Sequence, residues 1–195
     1  MPIPEPKPRS AAHTRRITYR GWRRDDGLWD IEGELLDIKE TEWVSRDKGL
    51  QPPGAAVHQM KVRISVDQTL TVVEAHAEMP ETPFAECLPA ASPVQGLVGQ
   101  KLARGWRKAI DQAMGGTLGC THLRELLQGI GTAAYQTVAS ARNIGADPTQ
   151  PPRHLGQCIS WDFSGPVMKR HQPEFYRVAQ TDGFRQPQGE GCQGG

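Results

Sequence analysis

The chain has 195 residues, 37% of them hydrophobic, with 23 lysines and arginines against 22 aspartates and glutamates. That length is enough for one domain with a buried core that needs no staples, and the near-cancelled charge excludes a molecule-wide pull toward nucleic acid or anionic lipid. No run approaches the roughly 18 apolar residues of a membrane span, and the opening MPIPEPKPRSAA lacks a signal peptide's apolar stretch, so the reading predicts a cytoplasmic protein. In that reducing compartment Cys87, Cys120, Cys158 and Cys192 are expected as thiols or metal ligands.

Residues 1–12 alternate with proline and are expected to form a disordered lead-in. The segments RRITYRGWRR and GLWDIEGELLDIK flank DDG, a hairpin signal. The second alternates, with Trp29, Ile31 and Leu35 on one face and Asp30, Glu32 and Glu34 on the other. After the break LQPPGA, VHQMKVRISV again has period two, gathering Met60, Val62, Ile64 and Val66, with His58 on the same apolar face. A turn around DQT leads to LTVVEAHAEM, which places Val73, Ala75, Ala77 and Met79 together and leaves His76 as a surface histidine.

From Pro93 the period changes. Val94, Leu97 and Val98 predict a short helix, and Trp106, Ile110, Ala113 and Met114 a second. Leu123, Leu126, Leu127, Ile130, Ala134, Val138 and Ala141 predict a longer third. After the linker GADPTQPPRHLG, the segment QCISWDFSGPVMKRHQPEFYRV reads as a closing C-terminal hairpin around SGP, and residues 179–195 as a disordered Gly/Gln-rich tail. Strands followed by helices give an α+β domain over residues 13–178, with the helices packed on one face of an antiparallel sheet.

The stretch GGTLGCTHLRELL holds the strongest chemical signal, Cys120 and His122 at the start of the third helix. A thiolate and an imidazole both ligate zinc or iron, and the helix dipole lowers the pKa of a cysteine placed there. On a continuing helix two such positions diverge by about 200°, so both can reach one ion only where the backbone is not yet helical. His58, an imidazole on an apolar strand face, needs a polar partner that a metal would supply. Cys87 lies in TPFAECLPAASP, the connection between sheet and helices, where ligands from both can converge. The expected shell is therefore His58, Cys87, Cys120 and His122, with Cys158 or His171 able to replace one member. Glu86 and Glu125 are the neighbouring carboxylates suited to proton transfer.

Arginines interleaved with Tyr19 and Trp22 in the first strand could track a phosphate backbone. The acidic strand opposite offers cross-strand ion pairs instead, and a solvated face is the reading adopted. No G-x-S-x-G elbow, Walker loop, G-x-G-x-x-G or H-E-x-x-H motif occurs.

The phrases HTRRITYRGWRRDDGLWDIEGELLDIKE, VHQMKVRISVDQTLTV and GCTHLRELL with TAAYQTV resemble a bacterial family known as domain of unknown function 2889, over about residues 13 to 177. That resemblance implies a bacterial origin and brings no activity. The order of strand pair, crossover cysteine and a cysteine heading the long helix is also similar to iron-sulfur scaffold proteins of the NifU/IscU type. In that likeness His58 stands at the aspartate ligand, Cys87 at the second cysteine and Cys120 at the third. The first cysteine of that family is missing here, which favours a mononuclear ion over a cluster. The expectation is thus a zinc or iron enzyme of lyase or hydrolase type acting on a small organic substrate. The alternative is a structural-zinc or iron-sulfur carrier protein without chemistry of its own.

Overall fold

The computed structural model describes residues 1–103, 105–142, 149–152 and 154–178, the side chains of residues 140–142 excepted. The chain divides into two compact units, Met1–Gly145 and Ala146–Gly195.

In the first unit, residues 1–12 are exposed and carry no helix or strand. Strands β1 (His13–Arg23), β2 (Trp29–Lys39), β5 (Ala56–Val66) and β6 (Val72–Glu81) form one antiparallel sheet in the order β1-β2-β5-β6. The DDG signal makes its turn with Gly27 at φ +88°, where a side chain would be strained, while Asp26 accepts the Leu28 N–H. Asp67 closes the β5–β6 turn by accepting the N–H groups of Thr69 and Thr71, both at 2.8 Å, and the buried Leu70 takes a left-handed φ of 61°.

Between β2 and β5 lies a small hairpin, β3 (Trp43–Ser45) paired with β4 (Gly49–Gln51). Three-residue strands are too short for a periodicity signal, and Val44 and Leu50 are exposed.

The alternation holds along the sheet. Ile31, Leu35, Met60, Val62, Ile64, Val66, Ala75 and Met79 are buried on the inner face. One expectation fails: Val73 is exposed and Val72 buried, because the register shifts between Ser65 and Val66 and turns the start of β6 over by one residue.

Helices cover the inner face. The connection Ala85–Leu97 is a 3-10 helix, since Pro89 and Pro93 interrupt an α-helical ladder; it buries Val94 and Leu97, and Val98 beyond it is exposed. Helix α1 (Trp106–Met114) precedes α2 (Thr121–Arg142), which buries Leu123, Leu126, Leu127, Ile130, Ala134 and Val138 along one stripe. A Cβ at Gly129 of α2 would collide with the Tyr19 hydroxyl, so glycine lets the helix approach the sheet closely enough for that hydroxyl to donate to Leu126 O at 3.0 Å. Trp106 Nε1 donates to Leu127 O at 2.8 Å and fixes α1 against the same turn.

The second unit corrects the expected closing hairpin. Ile159–Trp161 and Pro173–Phe175 are single 3-10 turns, and Pro166–His171 is the short helix α3. Pro166 suits a first helical position, Asp162 accepts the Ser164 N–H ahead of it, and Lys169, Arg170 and His171 complement the dipole in the last turn. SGP precedes a helix here and is not the turn of a hairpin, because Pro166 occupies a first-turn position of α3. The expected tail from residue 179, with Cys192, lies outside the described residues. No described helix is long and apolar enough to cross a membrane.

Candidate metal centre

Strand parity brings polar side chains to one end of the inner face. Asp37 has the parity of Ile31 and Leu35, and in the sheet it lies opposite Arg15 of β1 and His58 of β5, so the three form one row across neighbouring strands. Helix α2 starts above this row. Cys120 O accepts the Arg124 N–H at 3.0 Å, which makes Cys120 the residue that caps the helix and His122 part of its first turn. Its backbone is therefore not yet helical, and Cys120 Sγ lies 3.7 Å from His122 Nδ1.

The Asp37 side chain is only 3% exposed, and a buried carboxylate needs compensation. Arg15 supplies it bidentately, Nε to Oδ1 at 2.7 Å and Nη2 to Oδ2 at 2.8 Å. His58 Nδ1 lies 3.1 Å from Oδ2 and His13 Nε2 3.2 Å from Oδ1. Arg15 Nη1 turns outward to Glu125 Oε2 at 2.6 Å. The His58 and His122 rings stack at 3.8 Å between centroids, tilted by 35°. One ligand atom from each of Asp37, His58 and His122 can be chosen so that all lie within 4.8 Å of one another.

The environment moves these groups toward their ligating forms. Burial works to raise the Asp37 pKa, but the Arg15 guanidinium and His58 outweigh it and hold the carboxyl below its usual range. Burial lowers the His58 pKa, His122 adds to the effect, and the attraction of Asp37 does not overcome them. Burial opposes ionisation of Cys120, yet the His122 ring and the backbone N–H groups of Leu123 and His122 bring the thiol below its ordinary value. At neutral pH, Asp37 is thus anionic and His58 neutral. An anionic Asp37 makes His58 Nδ1 the donor, and an ion held by both residues would stand in place of that proton. Two imidazoles, a carboxylate and a nearby thiol form a donor set that suits zinc or ferrous iron.

Of the residues singled out from sequence, His58, Cys120 and His122 come together. Cys87 does not join them: it is half-buried against the apolar core, within the 3-10 helix Ala85–Leu97. Cys158 is exposed ahead of the turn Ile159–Trp161, and His171 ends α3, both in the second unit. Glu125 meets the network through Arg15, whereas Glu86 is exposed in the first turn of the 3-10 helix. His76 is half-exposed, as expected. The arginine strand carries cross-strand ion pairs, Arg20 with Glu34 at 3.6 Å among them.

Asp37, Arg15 and His13 were missed. The signal was present: Asp37 shares parity with Leu35 as His58 does with Met60, and Arg15 with Ile17, so each is a polar residue on an apolar face.

A family model described as "Protein of unknown function (DUF2889)" matches residues 13–136. No curated protein and no solved structure matches the chain, so the likeness to NifU/IscU-type scaffolds gains no support.

Proposed function

This chain belongs to the DUF2889 family, and we propose that it is a mononuclear metal-binding protein whose zinc or iron ion is held by His58, His122 and Asp37. The observation that carries the reading is the convergence of three ligand atoms within 4.8 Å from β2, β5 and the first turn of α2, elements distant in sequence. Cys120, beside His122, is the fourth donor at hand.

The enzyme we infer acts on a small organic substrate, in the manner of a lyase or hydrolase. The ion, when bound, supplies a Lewis acid that polarises a carbonyl or makes a hydroxide at neutral pH. Arg15 would orient Asp37 toward the ion through its two hydrogen bonds. Glu125 is the better placed of the two proton-transfer carboxylates, because only it meets the network.

Elemental analysis of untagged protein tests the reading, with His58→Ala, His122→Ala and Cys120→Ser beside the wild type. Near-stoichiometric zinc or iron lost in both histidine variants is expected. A well-folded, metal-free wild type that also takes up no added zinc or ferrous ion rejects it. Cys120→Ser separates the enzyme from a structural site, for which the proximity of the thiol to His122 speaks. An open catalytic shell keeps its ion after that change, and a closed four-ligand shell does not.

A further inference from the structure

Arg15 divides its guanidinium between two carboxylates in very different surroundings. Asp37 is 3% exposed and bound bidentately; Glu125 is 47% exposed and held through one nitrogen, Nη1. An exposed single contact is screened by water and exchanges readily, whereas a buried bidentate one persists. Arg15 therefore keeps Asp37 and can trade Glu125 for another anion.

Charge favours that trade. A divalent ion beside Arg15 gives more positive charge than Asp37 cancels, and α2 directs its positive end to the same place. A guanidinium edge matches a carboxylate in shape as well as in sign. Nη1 and Nη2 belong to one guanidinium, so a ligand on Nη1 lies across Arg15 from Asp37 Oδ2, the oxygen that His58 Nδ1 meets at 3.1 Å.

We propose that the ligand of this centre is a small carboxylic acid, whose carboxylate takes the place of Glu125 on Arg15 Nη1, beside the metal. The proposal rests on the metal-binding reading and names its substrate class. Glu125 is an internal stand-in for the ligand's carboxylate, and its release frees it for proton transfer.

The test is calorimetric titration of the zinc-loaded full chain with benzoate and acetate, with benzamide and acetamide as neutral controls and zinc content measured on the same samples. Carboxylates are expected to bind and amides to bind at least about tenfold more weakly, the loss of one charge-assisted contact. Glu125→Gln is expected to tighten carboxylate binding by about fivefold, the effect of removing an exposed competing ion pair, at unchanged zinc content. Arg15→Lys is expected to weaken it. Equal binding of acids and amides, or no binding by wild type and Glu125→Gln at full zinc content, overturns the proposal. A chain that takes up no zinc overturns the reading beneath it, and the zinc measurement reports that failure separately.

Discussion

Two arginine-carboxylate clusters lie on opposite faces of the same sheet. On the inner face, Arg15 grips Asp37 at 2.7 and 2.8 Å beside His58. On the outer face, Arg24 reaches Asp30 at 3.4 Å and Glu74 at 3.3 Å, with Ser65 donating to Asp30 at 2.6 Å. Both pair one cation with several acids, but the inner one meets the stacked imidazoles of His58 and His122 and the Cys120 thiol, whereas the outer one meets the single half-exposed imidazole of His76, 3.9 Å from Glu74. The difference comes from parity: a single-residue step along β2 decides whether an acid meets water or the underside of α2. The outer cluster is the more open one, with Asp30 18% and Glu74 39% exposed against 3% for Asp37. Burial makes the inner carboxylate dependent on its partners.

That contrast can be broken first by stability. Asp37→Ala, which leaves Arg15 Nε and Nη2 and His58 Nδ1 without their acceptor, is expected to cost about 3 kcal/mol in urea unfolding. Glu74→Ala in the outer cluster is expected to cost about 1 kcal/mol or less. Equal costs would remove the distinction between the faces.

Metal affinity sharpens it next. His58→Ala and His122→Ala are expected to weaken zinc binding by more than the about 10–100-fold that follows loss of an outer partner, whereas Arg15→Lys falls within that range. His76→Ala, on the outer face, leaves it unchanged. Competition with a chromophoric chelator measures all four.

The pH dependence has a definite sign. The folded pKa of His58 lies below its ordinary value of about 6.5, so the unfolded chain takes up the proton first. Stability is present above pH about 6.5 and falls as pH drops toward the folded value. Asp37, also depressed, adds a second loss below its ordinary value of about 3.9. His58→Gln is expected to diminish the first phase in metal-free protein and retain the second; a profile identical to wild type would show that His58 is not the group responsible.

The smallest effect concerns how α2 is seated. Tyr19→Phe removes the hydroxyl donated to Leu126 O and is expected to cost about 1 kcal/mol in thermal or urea unfolding, without altering zinc affinity. A large fall in zinc affinity would show that the Tyr19 contact also sets the height of His122 above the sheet.

The sequence by itself determined the four long strands, the inner faces of β2 and β5 and the stripe of α2, because periods of two and 3.6 are local consequences of backbone geometry; the bulge that turns over the start of β6 was not local. It also marked His58, Cys120 and His122 by placing polar groups on an apolar strand face and at a helix start. Only the tertiary structure decided which of them meet. Strand register set Asp37 opposite both Arg15 and His58, and the close seating of α2 brought His122 over the row. The same packing left Cys87, also a thiol, against the core. Ligand choice depends on distances of a few ångströms between elements far apart in the chain, and no local pattern of residues encodes those distances.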